Sequence, residues 1–297
     1  IKPPYPSPTP TWHNDTYPAI DPTRRELSRA GKTIIVTGAG SGIGRGTAIA
    51  FATAGAKKIA LLGGTETSLK ETQKRIATST ETAVFLCDVT DEAAVTKVAG
   101  SVSTWDVLVL NAGFLSAPSM IASADIDDYW KNYEASLFLT RIQTNVKSIL
   151  IAAKAFFPSA AATGAAVYAI TAGALVMPVK MTVGISGYLT SKLAQIKVME
   201  YLAAENPNMF FCSVHPGMID TSIFRASGSD PSHLPMDTAT LPAHFMVWLS
   251  HPKTKFLNGR FVFANWDVNE LCAKAEEVES SLHMTIGTVG WPFPHIG

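Results

Sequence analysis

Thr37-Gly38-Ala39-Gly40-Ser41-Gly42-Ile43-Gly44 decides the fold of this chain. It follows an apolar run, Thr33-Ile34-Ile35-Val36, that reads as a buried strand. It opens a segment, residues 45–54, that is rich in Ala and reads as a helix. Strand, glycine-rich turn and helix in that order make a dinucleotide cradle. The glycines turn tightly and let the backbone approach a pyrophosphate, while the helix N-terminus offers free N–H groups and the positive end of its dipole.

Outward from that turn the pattern repeats. Apolar runs with strand character occupy residues 33–36, 58–62, 83–87, 107–110, 165–171, 209–214 and 260–263. Helical composition fills 66–78, 91–102, 143–157, 191–204 and 240–250. Seven short strands with helical crossovers predict an α/β fold, a doubly wound parallel seven-stranded sheet in a single domain. Residues 1–30, rich in Pro, Thr and Tyr, read as an extended or partly disordered N-terminal arm, 31–270 as the catalytic domain and 271–297 as a C-terminal tail. The tail ends in Trp291-Pro292-Phe293-Pro294, which is expected to pack on the body or on a second subunit. Two segments exceed ordinary loops, 114–144 and 221–241, and loops at strand carboxyl ends usually build the ligand site.

Composition narrows the function. With 24 basic and 24 acidic residues and no basic run, the 297-residue chain shows no footprint for nucleic acid. No apolar stretch is long enough to span a membrane, and no signal segment is visible. Cys87, Cys212 and Cys272 are scattered; the first two lie in predicted strands and read as buried, inert thiols, which fits a reducing, cytoplasmic compartment. No cluster of His, Cys or carboxylates has metal-ligand spacing.

The adenosine end of a nucleotide belongs beyond the second and third strands. Asp88-Val89 follows Phe85-Leu86-Cys87, and an Asp there can accept from the adenine amino group or cap the next helix. Asn111-Ala112-Gly113 closes the fourth strand with small residues that let a ribose pass close to the backbone. At the end of the second strand stands Gly63-Gly64-Thr65, with no carboxylate before Glu66 to repel a 2′-phosphate and with a Thr65 hydroxyl able to donate to one. Ser41 in the glycine turn is not basic, and no Arg takes the carboxylate's place. NADP is therefore the expected cofactor, with NAD as the alternative.

Tyr188-Leu189-Thr190-Ser191-Lys192 sets a phenol and an ammonium four residues apart, on one face of a helix. The ammonium is expected to stabilise the phenolate and lower the tyrosine pKa, which would make Tyr188 a general acid toward a carbonyl or a base toward an alcohol.

With TGAGSGIG at 37–44, NAG at 111–113, YLTSK at 188–192 and HPGMIDT at 215–221, the chain resembles the short-chain dehydrogenase/reductase family across residues 32–265. The stretch 259–267 is similar to fungal members, many of which serve secondary metabolism. The resemblance implies a Rossmann sheet, a nicotinamide cofactor, and hydride transfer at a carbonyl or alcohol carbon. By it Tyr188 is the proton donor, Lys192 holds the nicotinamide ribose, and Asn145 anchors a proton-relay water. The cofactor lies along Gly38, Gly40, Ser41, Gly42, Ile43, Gly44, Thr65, Asp88, Val89, Asn111, Ala112 and Gly113. Pro216, Gly217, Ile219 and Thr221 belong to the segment beside the carboxamide. His215 reads as structural. The family also implies a homodimer or homotetramer.

Two departures stand out. Where the family carries a catalytic serine after the fifth strand, this chain has Ile170-Thr171-Ala172-Gly173, with Ala172 at the serine's place. Thr171, Thr182 and Ser186 are the candidates for a substitute hydroxyl, Thr171 being the one assigned. The other departure is an insertion across 136–144, before Asn145. The expected function is NADP(H)-dependent reduction or oxidation of an apolar small molecule. Apolar walls at 114–119, 175–185 and 219–224 would hold it, among them Met177, Val179, Met181 and Val183. The missing serine keeps a non-redox alternative open: dehydration, isomerisation or pericyclic ring closure on the same fold.

Overall fold

The computed structural model describes residues 1–4, 6–76, 79–133, 145–162 and 164–288. The end of the helix expected at 66–78, the start of the one at 143–157, the insertion at 136–144 and the 291–294 tail lie outside the described residues.

The seven strands are β1 (Thr33–Thr37), β2 (Lys58–Gly63), β3 (Glu81–Leu86), β4 (Val107–Leu110), β5 (Ala166–Ile170), β6 (Phe210–His215) and β7 (Arg260–Phe263). They form one sheet in the order β3-β2-β1-β4-β5-β6-β7, every pair parallel. The helices are α1 (Gly42–Thr53), α2 (Glu66–Arg75), α3 (Glu92–Val102), α4 (Ile126–Trp130), α5 (Lys147–Phe156), α6 (Ser186–Glu205), α7 (Ser222–Ala226), α8 (Thr240–Leu249), α9 (Val268–Cys272) and α10 (Ala275–Glu279).

Both faces of the sheet are covered, which is why its strands read as continuous apolar runs. Alternation along each strand divides the core in two. Ile34, Val36, Ile59, Leu61, Tyr168 and Val214 join α1 and α8 on one side. Ile35, Leu62, Leu108, Val167 and Ala169 join α3, α5 and the second half of α6 on the other. Strand order reverses between β1 and β4, so a crevice opens at their carboxyl ends, where ligands of such sheets bind.

The N-terminal arm lies on the body. Trp12 forms an isolated antiparallel bridge with Trp266, and Ile20 and Leu27 are fully buried. Among the described residues no helix is long and apolar enough to cross a membrane.

Candidate active site

The glycine turn leaves β1 and enters α1 under tight steric limits. Gly38 has φ +64°, and a Cβ on Gly44 would come within 2.3 Å of the Gly38 carbonyl oxygen. Only hydrogen fits there, so α1 begins close against the turn. Ser41 at its N-cap makes no side-chain capping bond, which leaves the first N–H groups of a 12-residue helix open to an anion.

Thr37 fixes the other wall. Its hydroxyl donates to Val109 O (3.2 Å) and accepts from Asn111 N and Ala112 N (3.0 Å each). The Asn111 amide in turn donates to Thr37 O (2.9 Å) and Gly38 O (3.3 Å). Asn111 thus holds the two turns together. Toward the adenosine end, Thr65 is exposed and its hydroxyl caps nothing. Asp88 is exposed as well and accepts from the Thr90 amide and hydroxyl at 2.9 and 2.7 Å, next to buried Val89. Asp88 does not cap α3; Asp91 does, accepting from Ala94 N at 3.0 Å.

Tyr188 sits in the first turn of α6 and Lys192 one turn on, with Nζ 5.8 Å from the phenol ring centroid. Lys192 is buried and donates to Ile170 O (2.7 Å) and Gln195 Oε1 (2.9 Å). Burial lowers its pKa to about 7 and raises that of Tyr188 above the ordinary phenol value. This corrects the expectation of a lowered tyrosine pKa. The ammonium spends its hydrogen bonds on β5 and Gln195, and desolvation penalises both charged forms.

Asn145 precedes α5 rather than lying within it. Its amide accepts from Phe114 N (3.1 Å) and donates to Phe114 O and Ser191 Oγ (2.9 Å each), while Ser191 donates to Tyr188 O (2.7 Å). Gly113 marks where these groups converge: a Cβ there would be 3.2 Å from Asn145 Oδ1 and 3.5 Å from Lys192 Nζ. Below it, Thr37, Ala112, Asn145 and Gln195 help line a void of about 10 Å³, the size of one water.

Thr171 is not brought to the open side. It continues the line of β5, its N–H bonded to Val214 O at 2.8 Å, and its hydroxyl is sealed from solvent with no partner. The half-buried residue beyond it is Ala172, which has no hydroxyl. Ser186 Oγ is also buried without a partner, and Thr182 donates to Val179 O (3.2 Å).

Pro216, Gly217 and Ile219 leave β6 buried, and Thr221 caps α7 by accepting from Phe224 N at 3.1 Å. The Thr221 methyl lies 3.2 Å from where a Cβ on Gly42 would stand, so this segment closes over the glycine turn. His215 is structural: its Nδ1 accepts from Gly173 N at 2.8 Å and its ring meets Phe263 edge-on at 4.7 Å. At the mouth, Ser119 N donates to Gly184 O (2.8 Å), joining two segments that expose Met120, Ile121, Val179, Met181 and Val183.

The family model for short chain dehydrogenases matches residues 32–232. The chain is a short-chain dehydrogenase. The relatives include a short chain dehydrogenase of Monascus purpureus, 33% identical over 90% of this chain and 93% of that one. A short chain dehydrogenase/reductase of Claviceps purpurea is 34% identical over 96% and 95%. Among solved structures, an oxidoreductase of E. coli superposes with a TM-score of 0.68 at 20% identity over 81% of this chain and 98% of its own. Another solved structure, from Shigella flexneri and complexed with NADP, gives 0.67 at 20% identity over 81% of this chain and 99% of its own.

Three supports of this short-chain dehydrogenase's site were not anticipated. Thr37 was read only as the start of the glycine turn. Gln195, three residues after Lys192, shares its helix face, a signal that the spacing did carry. Arg45 folds beneath the turn, where its guanidinium donates to Gly40 O, to Thr72 Oγ1 (3.1 Å) and to Glu71 Oε2 (3.1 Å).

Proposed function

We propose that this short-chain dehydrogenase is an NADP(H)-dependent oxidoreductase that interconverts a carbonyl and an alcohol on an apolar small molecule of secondary metabolism. The observation that carries the reading is the meeting of Lys192 and Asn145 at Gly113, with the Tyr188 ring 5.8 Å from Lys192 Nζ, at the crevice where the glycine cradle opens. The cradle fits a dinucleotide: its close approaches admit no side chain, and the start of α1 is uncapped. When bound, the nicotinamide supplies or takes up hydride.

The chain's own residues do the rest. The N–H groups of α1 receive the pyrophosphate. Thr65 follows β2 with a free hydroxyl and no carboxylate stands at 63–65 to repel a 2′-phosphate; these features support NADP. Tyr188, whose raised pKa keeps it protonated, donates its proton to the substrate oxygen as a general acid. Lys192, with a pKa lowered to about 7 by burial, changes charge near neutrality; its third N–H would be the one to reach ribose hydroxyls, and it would return the proton. Asn145, which meets Lys192 across Gly113, is the residue assigned to a proton relay. Ala172 offers the substrate oxygen no second donor, which costs on the order of 3 kcal/mol of transition-state stabilisation. The apolar mouth favours a substrate with little charge. A homodimer or homotetramer in the cytoplasm fits this role.

Oxidation of NADPH by wild type and Tyr188→Phe over a panel of apolar ketones tests the reading. Turnover should fall at least a hundredfold in Tyr188→Phe while NADPH still binds. Turnover that survives the substitution removes the proposed acid. Substrate conversion without nucleotide oxidation replaces the redox reading with the non-redox one.

A further inference from the structure

We propose that Asp237, held by Asn14 of the N-terminal arm, is a positioning residue for the nicotinamide end of the cofactor; the proposal rests on the nucleotide reading above. The segment that leaves β6 through Pro216-Gly217 returns to the body at Asp237, just before α8. Asp237 ties these two ends together. One carboxylate oxygen accepts from Met218 N at 2.6 Å, and the Asp237 N–H donates back to Met218 O at 2.9 Å. Ile219 and Asp237 form a parallel bridge. Gly217, at φ +93°, lies so close that a Cβ on it would stand 2.6 Å from the same carboxylate oxygen. The loop therefore takes its shape around this one side chain.

The second oxygen faces the arm. Asn14 Nδ2 donates to it at 2.5 Å, and Asn14 O accepts from Thr238 N at 2.9 Å. The neighbours of Asn14 secure the arm on both sides. Asp15 accepts from Thr238 Oγ1 and Thr240 Oγ1 at 2.5 and 2.9 Å. His13 exchanges backbone and side-chain bonds with Asn265, 2.8 Å each, and pairs with Asp267 at 3.0 Å. A segment from the far end of the sequence, anchored to the exit of β7, thus sets the carboxylate that shapes 217–219. Three residues after Met218 comes Thr221, the cap of α7, against the glycine turn.

An amide at 237 has a single acceptor oxygen, so it keeps Met218 N only if Asn14 flips its own amide to accept from the new NH2, and both contacts lose the carboxylate's charge. The test measures dissociation constants of the full chain for NADPH and for adenosine 2′,5′-bisphosphate, which reaches only the adenosine end, in wild type, Asn14→Ala and Asp237→Asn. If the wild type prefers NADH, then NADH and AMP replace the pair. NADPH should bind about tenfold more weakly to each variant, with the adenosine ligand unchanged within about twofold. The double variant should be no weaker than Asp237→Asn, since both act through one carboxylate. Unchanged NADPH affinity, or equal weakening of both ligands, overturns the positioning role and leaves the nucleotide reading intact. A wild type that binds neither NADPH nor NADH overturns both. Asn14→Ala keeps the Asp237–Met218 bonds and carries the test should Asp237→Asn not fold.

Discussion

Lys192 Nζ lies 2.9 Å from Gln195 Oε1, and both side chains also donate to Ile170 O, at 2.7 and 3.3 Å. This buried group of three gives Lys192 its place and half of its compensation. Gln195→Leu removes one of the two acceptors of a desolvated ammonium whose pKa is already lowered to about 7. The charged form loses support, so the pKa falls further. The alkaline limb of the pH–rate profile should move about one unit to lower pH, and turnover at pH 7.5 should drop about tenfold. Gln195→Glu should move the limb the other way. Profiles that superpose on wild type would remove Gln195 from the site.

Thr171→Val tests the sealed hydroxyl. A buried hydroxyl without a partner costs about 1–3 kcal/mol, and Val has nearly its shape. The melting temperature should hold or rise, and turnover should change less than twofold. A tenfold loss of turnover would put the hydroxyl into the reaction and require the β5 end to move when substrate binds.

Thr37→Val strands two backbone N–H groups, those of Asn111 and Ala112. The expected cost is about 2–4 kcal/mol, a fall in melting temperature of roughly 3–6 °C, with weaker nucleotide binding. Thr37→Ser keeps the hydroxyl and should recover most of both. A Ser variant as damaged as Val would show that the methyl, not the hydrogen bonds, matters.

His215 predicts acid sensitivity. Burial lowers its pKa from 6.5 to about 3. Between those values the unfolded chain binds a proton that the folded chain does not, so stability is complete above pH 6.5 and falls as pH falls through the window. His215→Gln should flatten the dependence of melting temperature on pH between 6.5 and about 4. It should not abolish it, because burial also lowers His244 and His251. A curve parallel to wild type would exclude His215 as a source.

Most of the sheet was legible because a strand covered on both faces is a short apolar run between breaks; every strand but β3 falls within one residue of expectation at either end. β3 is an edge strand that leaves Glu81 and Leu86 exposed, so its mixed pattern hid its start. α6 begins at Ser186, five residues before the helical run that composition suggests. The start is set by tertiary contact: Asn132 and Tyr129 press on Gly187, where a Cβ would meet them at 2.7 and 3.2 Å. The pairing of Tyr188 with Lys192 was readable from helical spacing. The direction of the tyrosine shift was not, since it depends on burial, which no spacing reports. Asn14 and Asp237, 223 positions apart, carry no local signal at all.

The arm's attachment bears on how the chain is made. Thr11 donates its backbone N–H and its hydroxyl to Glu270, 259 positions later. During synthesis residues 11 and 12 emerge long before their seat exists, and they wait until residues 266–270 leave the ribosome. A chain stalled short of Glu270 would have its glycine turn assembled and Asn14 able to reach Asp237, with Thr11 still lacking its acceptor.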